Sequence, residues 1–141
     1  MITIEGRMMS SEVVITEGKR VYLLEKKKGA FEMRNMKRKT LAVFDYSSLK
    51  DVITIFSGGE KMQVSFHMFK PDEAVFGKRK FLIHQKFFGK IMVLSGKDIV
   101  IEGSNDLMRM VFERIDPEVK DIAKELCTAL YIRYRVFSQN F

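Results

Sequence analysis

The chain has 141 residues, one domain's worth and long enough to bury its own core. Hydrophobic residues make up 46% and charged residues 30%, a globular balance that excludes a disordered chain, while a net charge of +7 favours anionic partners. A single cysteine, Cys127, excludes an internal disulfide. It fits a reducing compartment. No apolar run approaches the roughly 18 residues of a membrane span, and the opening residues do not read as a signal peptide, so the expected location is cytoplasmic, soluble or membrane-peripheral.

Ile4-Glu5-Gly6-Arg7 matches the recognition sequence of a clotting protease used to remove tags, with Met8 or Met9 as an alternative start. Residues 1–7 are therefore set apart, and a single domain is expected over residues 8–141. Short alternating or β-branched runs follow at residues 13–16, 21–26, 31–36, 40–46, 52–56, 62–69, 81–86, 90–94, 99–102 and 107–112. Gly18, Gly29, Gly58-Gly59, Gly89, Gly96 and Gly103 punctuate them. Such spacing predicts a mainly β domain, an antiparallel barrel or sandwich. Gly58-Gly59 reads as a tight hairpin turn, and residues 62–68 alternate as a half-buried strand does. Residues 70–80 form the longest break and read as an exposed loop.

The basic residues are unevenly spread. Lys26, Lys27, Lys28, Arg34, Lys37, Arg38 and Lys39 face only Glu25 and Glu32 nearby in sequence. Folded as a hairpin, they are expected to gather around Gly29 and the following turn. The partner such a patch suits first is an anionic lipid surface or phosphoinositide, with nucleic acid second. A protein-interaction scaffold that uses the charge for solubility is the third reading.

Near the end of the chain the period changes. Asp116 suits a helix cap and Pro117 a first turn, and Val119, Ile122, Ala123, Leu126, Leu130, Tyr134 and Phe137 fall at helical spacing. Cys127, Ala129 and Ile132 make the other side apolar too, so a helix over about 117–137 should be buried on several sides. Arg133 and Arg135 then belong near its end, where their heads reach water or the last carbonyls. Residues 131–137 also fit a strand; helix is preferred.

No catalytic set stands out. His67 and His84 lie in different strand runs without a paired cysteine and read as ordinary strand histidines. Cys127 lies within the apolar helix and reads as a small buried hydrophobe. Gly58-Gly59-Glu60-Lys61 lacks the spacing of a phosphate-binding loop. Phe81, Phe87 and Phe88, among Lys80, Lys86 and Lys90, could stack nucleic-acid bases, but core positions are the preferred reading. Asp106, Glu113, Asp116 and Glu118 do not have calcium-loop spacing and read as capping and surface acids. No cofactor or metal is assigned, and the expectation is a binding module rather than an enzyme.

From Gly89-Lys90-Ile91 onward the chain runs through Gly103-Ser104-Asn105-Asp106, residues 107–112, Asp116-Pro117-Glu118-Val119-Lys120 and residues 122–137. This order of strand pair, turn, aliphatic-aromatic strand, acidic turn and apolar helix resembles the tubby-like superfamily, which includes phospholipid scramblases and LURP-one-related proteins. Val21-Tyr22-Leu23-Leu24-Glu25-Lys26-Lys27 is similar to that family's opening strand. The resemblance covers residues 12–138 and implies a twelve-stranded barrel threaded by its helix, with membrane-linked roles such as phosphoinositide binding. The chain departs from the scramblases: it has no proline-rich arm and no cysteine cluster, and only Asp106, Asp116 and Glu118 partly match their calcium-linked acidic segment. The compact LURP-one-like form is the closer likeness. A pleckstrin-homology-like barrel of seven strands with a final helix is the rival, in which residues 26–34 would hold the phosphoinositide.

Overall fold

Alternation of apolar and polar side chains puts every second strand residue on one face, and here that face closes on itself. The computed structural model describes residues 1–6, 12–85, 89–106 and 108–137. Twelve strands run in chain order: β1 (Ile2–Gly6), β2 (Val13–Glu17), β3 (Arg20–Lys27), β4 (Ala30–Asn35), β5 (Thr40–Ser47), β6 (Val52–Ser57), β7 (Glu60–Ser65), β8 (Asp72–Phe76), β9 (Arg79–Gln85), β10 (Gly89–Ser95), β11 (Asp98–Asn105) and β12 (Arg109–Ile115). A 3-10 turn, Pro117–Val119, leads to helix α1 (Ala123–Phe137). Each strand pairs antiparallel with the next, and β1 pairs with β12, so the sheet is a closed barrel without a free edge.

From β1 to β10 each strand buries two residues two positions apart, such as Ile2 and Ile4, Phe31 and Met33, Ile53 and Ile55, and Ile91 and Val93. Between β10 and β11 the register passes from Val93↔Ile101 to Leu94↔Ile99, leaving Val100 as an extra residue, and both Val100 and Ile101 are buried. Gly103 lies where β11 shifts register against β12; a Cβ there would run into the Val111 carbonyl oxygen.

The lumen is filled by α1. Ala123, Leu126, Cys127, Thr128, Ala129, Leu130, Tyr131 and Ile132 are fully buried, on all sides of the helix. Its 15 residues span about 22 Å. Strands of five to eight residues span about 17 to 26 Å, so helix and wall match in length. The helix begins at the rim holding the turns at 18–19, 36–39, 58–59, 77–78 and 96–97, here the start rim. It finishes at the opposite rim, with the turns at 28–29, 48–51, 66–71 and 106–108, here the end rim.

A mainly β barrel enclosing a C-terminal helix is thus the observed fold, and twelve strands exclude the seven-stranded rival. Several local expectations change. Ile2–Gly6, set apart in the sequence, is the stave that closes the barrel, with Ile2 and Ile4 wholly buried; Arg7, Met8 and Met9 lie outside the described residues. Residues 70–80 are not one loop: Asp72–Phe76 is β8, with Ala74 and Phe76 buried. Residues 131–137 are helical. Asp116 makes no side-chain cap; its backbone N–H donates to the Val100 carbonyl at 2.8 Å instead. Arg135 does not reach water. It is 3% exposed and donates to the Tyr131 hydroxyl at 2.9 Å, next to Gly6, where a Cβ would run into its guanidinium.

Candidate anionic-surface site on the end rim

The topology divides the basic cluster. Lys26 and Lys27 finish β3, and Lys28 shares a two-residue turn with Gly29 on the end rim. Lys37, Arg38 and Lys39 lie in the β4–β5 turn on the start rim, where Asn35 Oδ1 accepts the Lys37 and Lys39 backbone N–H groups at 2.9 and 3.0 Å. The six residues of β4 hold the two groups about 20 Å apart. They do not gather around Gly29. Arg34 stands between them on the wall, committed to Glu32 at 2.7 Å and Glu25 at 3.8 Å. The Arg34 hydrogen bond, helped by Lys27, holds the Glu32 carboxyl below its usual value despite some burial. Arg34 is therefore held in ion pairs on the wall between the two rims.

What joins Lys26–Lys28 on the end rim is apolar. The β5–β6 turn presents Leu49, 94% exposed, next to Lys50. The β7–β8 loop presents Met68 at 87% and Phe69 at 95%, next to Lys70. Strands β3 to β8 are consecutive in the barrel, so these three tips stand side by side, about 10 Å between neighbours. Lys28, Lys50 and Lys70 form no ion pair among the described residues. Large apolar side chains this exposed on a folded surface signal a contact site when they cluster.

Two of the tips, β5–β6 and β7–β8, are anchored to the end of the helix. Arg133 holds Asp51 through Nη2–Oδ2 at 2.7 Å and Nε–Oδ1 at 3.1 Å. The Tyr46 hydroxyl donates to the same Oδ1 at 2.9 Å. The Asp51 carbonyl accepts the Phe66 N–H at 3.0 Å, and the Arg133 guanidinium lies 4.9 Å from the Phe66 ring centre. Burial pushes the Asp51 carboxyl up, but hydrogen bonds from Arg133 and Tyr46 outweigh it and hold the group below its ordinary value. Asp51 sits at φ 55°, a left-handed conformation that an aspartate tolerates better than most residues.

On the outer wall beside the β7–β8 loop lies an open groove of about 580 Å³, lined in part by His67, Phe69, Lys70, His84, Lys90 and Met92. The register sets His84 opposite Met92 across β9 and β10. The two histidines, read separately in the sequence, therefore share one groove. Asp72 also lines it, but its Oδ1 accepts the His67 backbone N–H at 2.7 Å, and burial pushes its carboxyl up. Among the described residues no three His, Cys, Asp or Glu side chains group as a metal site. Asp106 lies at the end rim and Asp116 and Glu118 at the start rim, so the acidic residues do not assemble. Phe81 is a core residue, packed edge-on at 6.0 Å from Phe76; Lys86, Phe87 and Phe88 lie outside the described residues. Cys127 is wholly buried, and that burial pushes its thiol well up.

Sequence reading missed Leu49, Met68 and Phe69. Their one signal was position: a leucine within Ser48-Leu49-Lys50, and a Met-Phe pair just before Lys70-Pro71, where turn residues are usually polar. No described helix is long and apolar enough to cross a membrane. Comparison with known proteins finds no family model, no curated protein and no solved structure that matches the chain.

Proposed function

We propose that the chain is a non-catalytic binding module of the tubby-like, LURP-one-related kind, which docks its end rim on an anionic membrane surface. The observation that carries the reading is the pairing, on adjacent hairpin tips, of almost fully exposed Leu49, Met68 and Phe69 with Lys28, Lys50 and Lys70. Apolar tips enter the boundary between headgroups and acyl chains while the lysines stay at the phosphates. Each lysine near an anionic surface contributes about 1 kcal/mol. Burying one large apolar side chain contributes about 1.5 to 3 kcal/mol at most. Together these suffice for reversible recruitment. The closed barrel around an apolar helix agrees with what the resemblance implies, and that agreement supports the family reading.

Sedimentation with phosphatidylcholine vesicles containing phosphatidylserine tests the proposal. The chain should bind these and not vesicles of phosphatidylcholine alone. Reversing Lys26, Lys27 and Lys28 to Glu, or changing Leu49 and Phe69 together to Ser, should each lower binding at least tenfold. Binding that survives both changes would sink the membrane reading of this rim.

Nucleic acid is the second reading, and a different surface favours it. Lys19, Lys37, Arg38, Lys39, Lys78 and Lys97 stand on the start rim without an ion pair among the described residues. Such a ring would follow a phosphate backbone rather than stack bases.

A further inference from the structure

We infer that the groove beside the β7–β8 loop is a binding site for a phosphate monoester, with Lys70 and His84 at the phosphate and Phe69 and Met92 against the carbon skeleton that carries it. The chain contains two histidines, far apart in sequence, and both line this one groove. Two lysines join them, Lys70 and Lys90. Lys70 makes no ion pair among the described residues, while Lys90 is tethered by Glu102 at 2.9 Å and contributes field from a fixed position. Lysine ammonium groups and imidazole N–H groups are donors without an acceptor demand of their own when charged. A doubly charged monoester, with three terminal oxygens, matches such a set better than a diester does. The carboxylate on the described lining, Asp72, does not oppose it squarely, because its Oδ1 is turned to the His67 N–H.

The volume, about 580 Å³, falls within the range of small-molecule sites. Phe69 forms both the wall of this groove and the most exposed apolar tip of the end rim. A ligand in the groove would therefore lie at headgroup depth when the rim is docked. To that extent the inference deepens the membrane reading and rests on it. The same chemistry could be offered by a lipid headgroup or by a soluble phosphate ester.

Vesicles of phosphatidylcholine carrying phosphatidic acid, a monoester, are compared with vesicles carrying phosphatidylserine at matched charge. In parallel, glycerol 3-phosphate is titrated while the His67 and His84 imidazole resonances are followed by NMR. The wild type should prefer phosphatidic acid by about tenfold, the equivalent of one strong charge-assisted contact. His84→Ala and Lys70→Ala, both at exposed positions, should each reduce that preference severalfold, and Lys97→Ala on the start rim should leave it intact. Equal binding of the two lipids together with silent imidazoles overturns the groove site even if vesicles still bind. A preference that persists in the doubly substituted chain overturns it as well. If glycerol 3-phosphate moves both imidazoles while no vesicle is bound, the membrane reading falls and the groove stands with a soluble ester as its ligand.

Discussion

Glu125 is the residue at which the interior chemistry is most exposed to test. It is 8% exposed, in the first turn of α1, with Ser57 Oγ 3.5 Å from its carboxyl. Burial pushes its carboxyl up. The folded state thus holds its proton more tightly than the unfolded chain. Its stabilising contribution is fully present below the ordinary carboxylate value of about 4.3 and is lost as pH rises through the raised folded value. At neutral pH the ionised group is a cost, which the helix N-terminus offsets in part. Glu125→Gln should raise unfolding stability at pH 7 by about 1 kcal/mol, and the gain should vanish near pH 4. Denaturant unfolding at both values checks this; a gain as large at pH 4 would be incompatible with it. Asp51, Glu32 and Asp121 act in the opposite sense, because their carboxyls are lowered and their contributions fade as pH falls. At this scale the sequence was legible for Cys127, within an apolar helix, and for Phe81, which alternates with Ile83 along a strand. It was not legible for Arg135, because an arginine near a helix end gives no sign that Tyr131 and Gly6 will enclose it.

Among elements, the joint between α1 and the β5–β6 turn matters most. Asp51→Asn keeps a residue that accepts φ 55° but removes the charge that Arg133 holds with two hydrogen bonds. The variant should lose about 1 to 3 kcal/mol of stability by thermal unfolding, and its deficit should shrink at acidic pH, where the wild type also loses the ionised form. A deficit independent of pH would assign the loss to something other than the ion pair. The joint also fixes the base of the Leu49 turn and, through Phe66, the start of the β7–β8 loop, so vesicle binding should weaken in the same variant. Strands with plain alternation, such as Met62-Gln63-Val64, could be read from the sequence alone. β1 and β8 could not. Ile2-Thr3-Ile4 alternates well but merges into a protease-like tetrapeptide, and Asp72–Phe76 carries charge at its first two positions; pairing with β7 and β9 outweighs its weak local preference.

For the molecule as a whole, exposed bases stand on both rims, while Leu49, Met68 and Phe69 stand together on the end rim. The start rim carries bases at 19, 37–39, 78 and 97, and the end rim carries Lys28, Lys50 and Lys70 beside the exposed Leu49, Met68 and Phe69. Sequence reading found the surplus charge but not its division between the rims, because the turns at the two ends of one strand lie on opposite rims. Reversing Lys19, Lys78 and Lys97 to Glu should abolish any salt-sensitive binding of duplex oligonucleotides and leave vesicle binding unchanged. Reversing Lys26, Lys27 and Lys28 should do the converse. Fluorescence anisotropy and vesicle sedimentation at physiological salt separate the two, and equal loss of both activities in either variant would mean that the rims do not act independently.

Closure by β1 also dictates how the molecule can assemble. Ile2 pairs with Phe112, so the seam between first and last strands joins the most distant parts of the sheet, and the loop-closure entropy of that step is not repaid until nearly all other contacts exist. The helix follows β12 in sequence yet occupies the lumen, and it carries Arg133 and Arg135 at its leading end. Pushing two guanidinium groups through a finished apolar tube is far costlier than wrapping an open sheet around a helix already in place. The sheet is therefore expected to curl around α1 and seal last, with the edges of β1 and β12 open until then; slow refolding in stopped-flow experiments would bear this out.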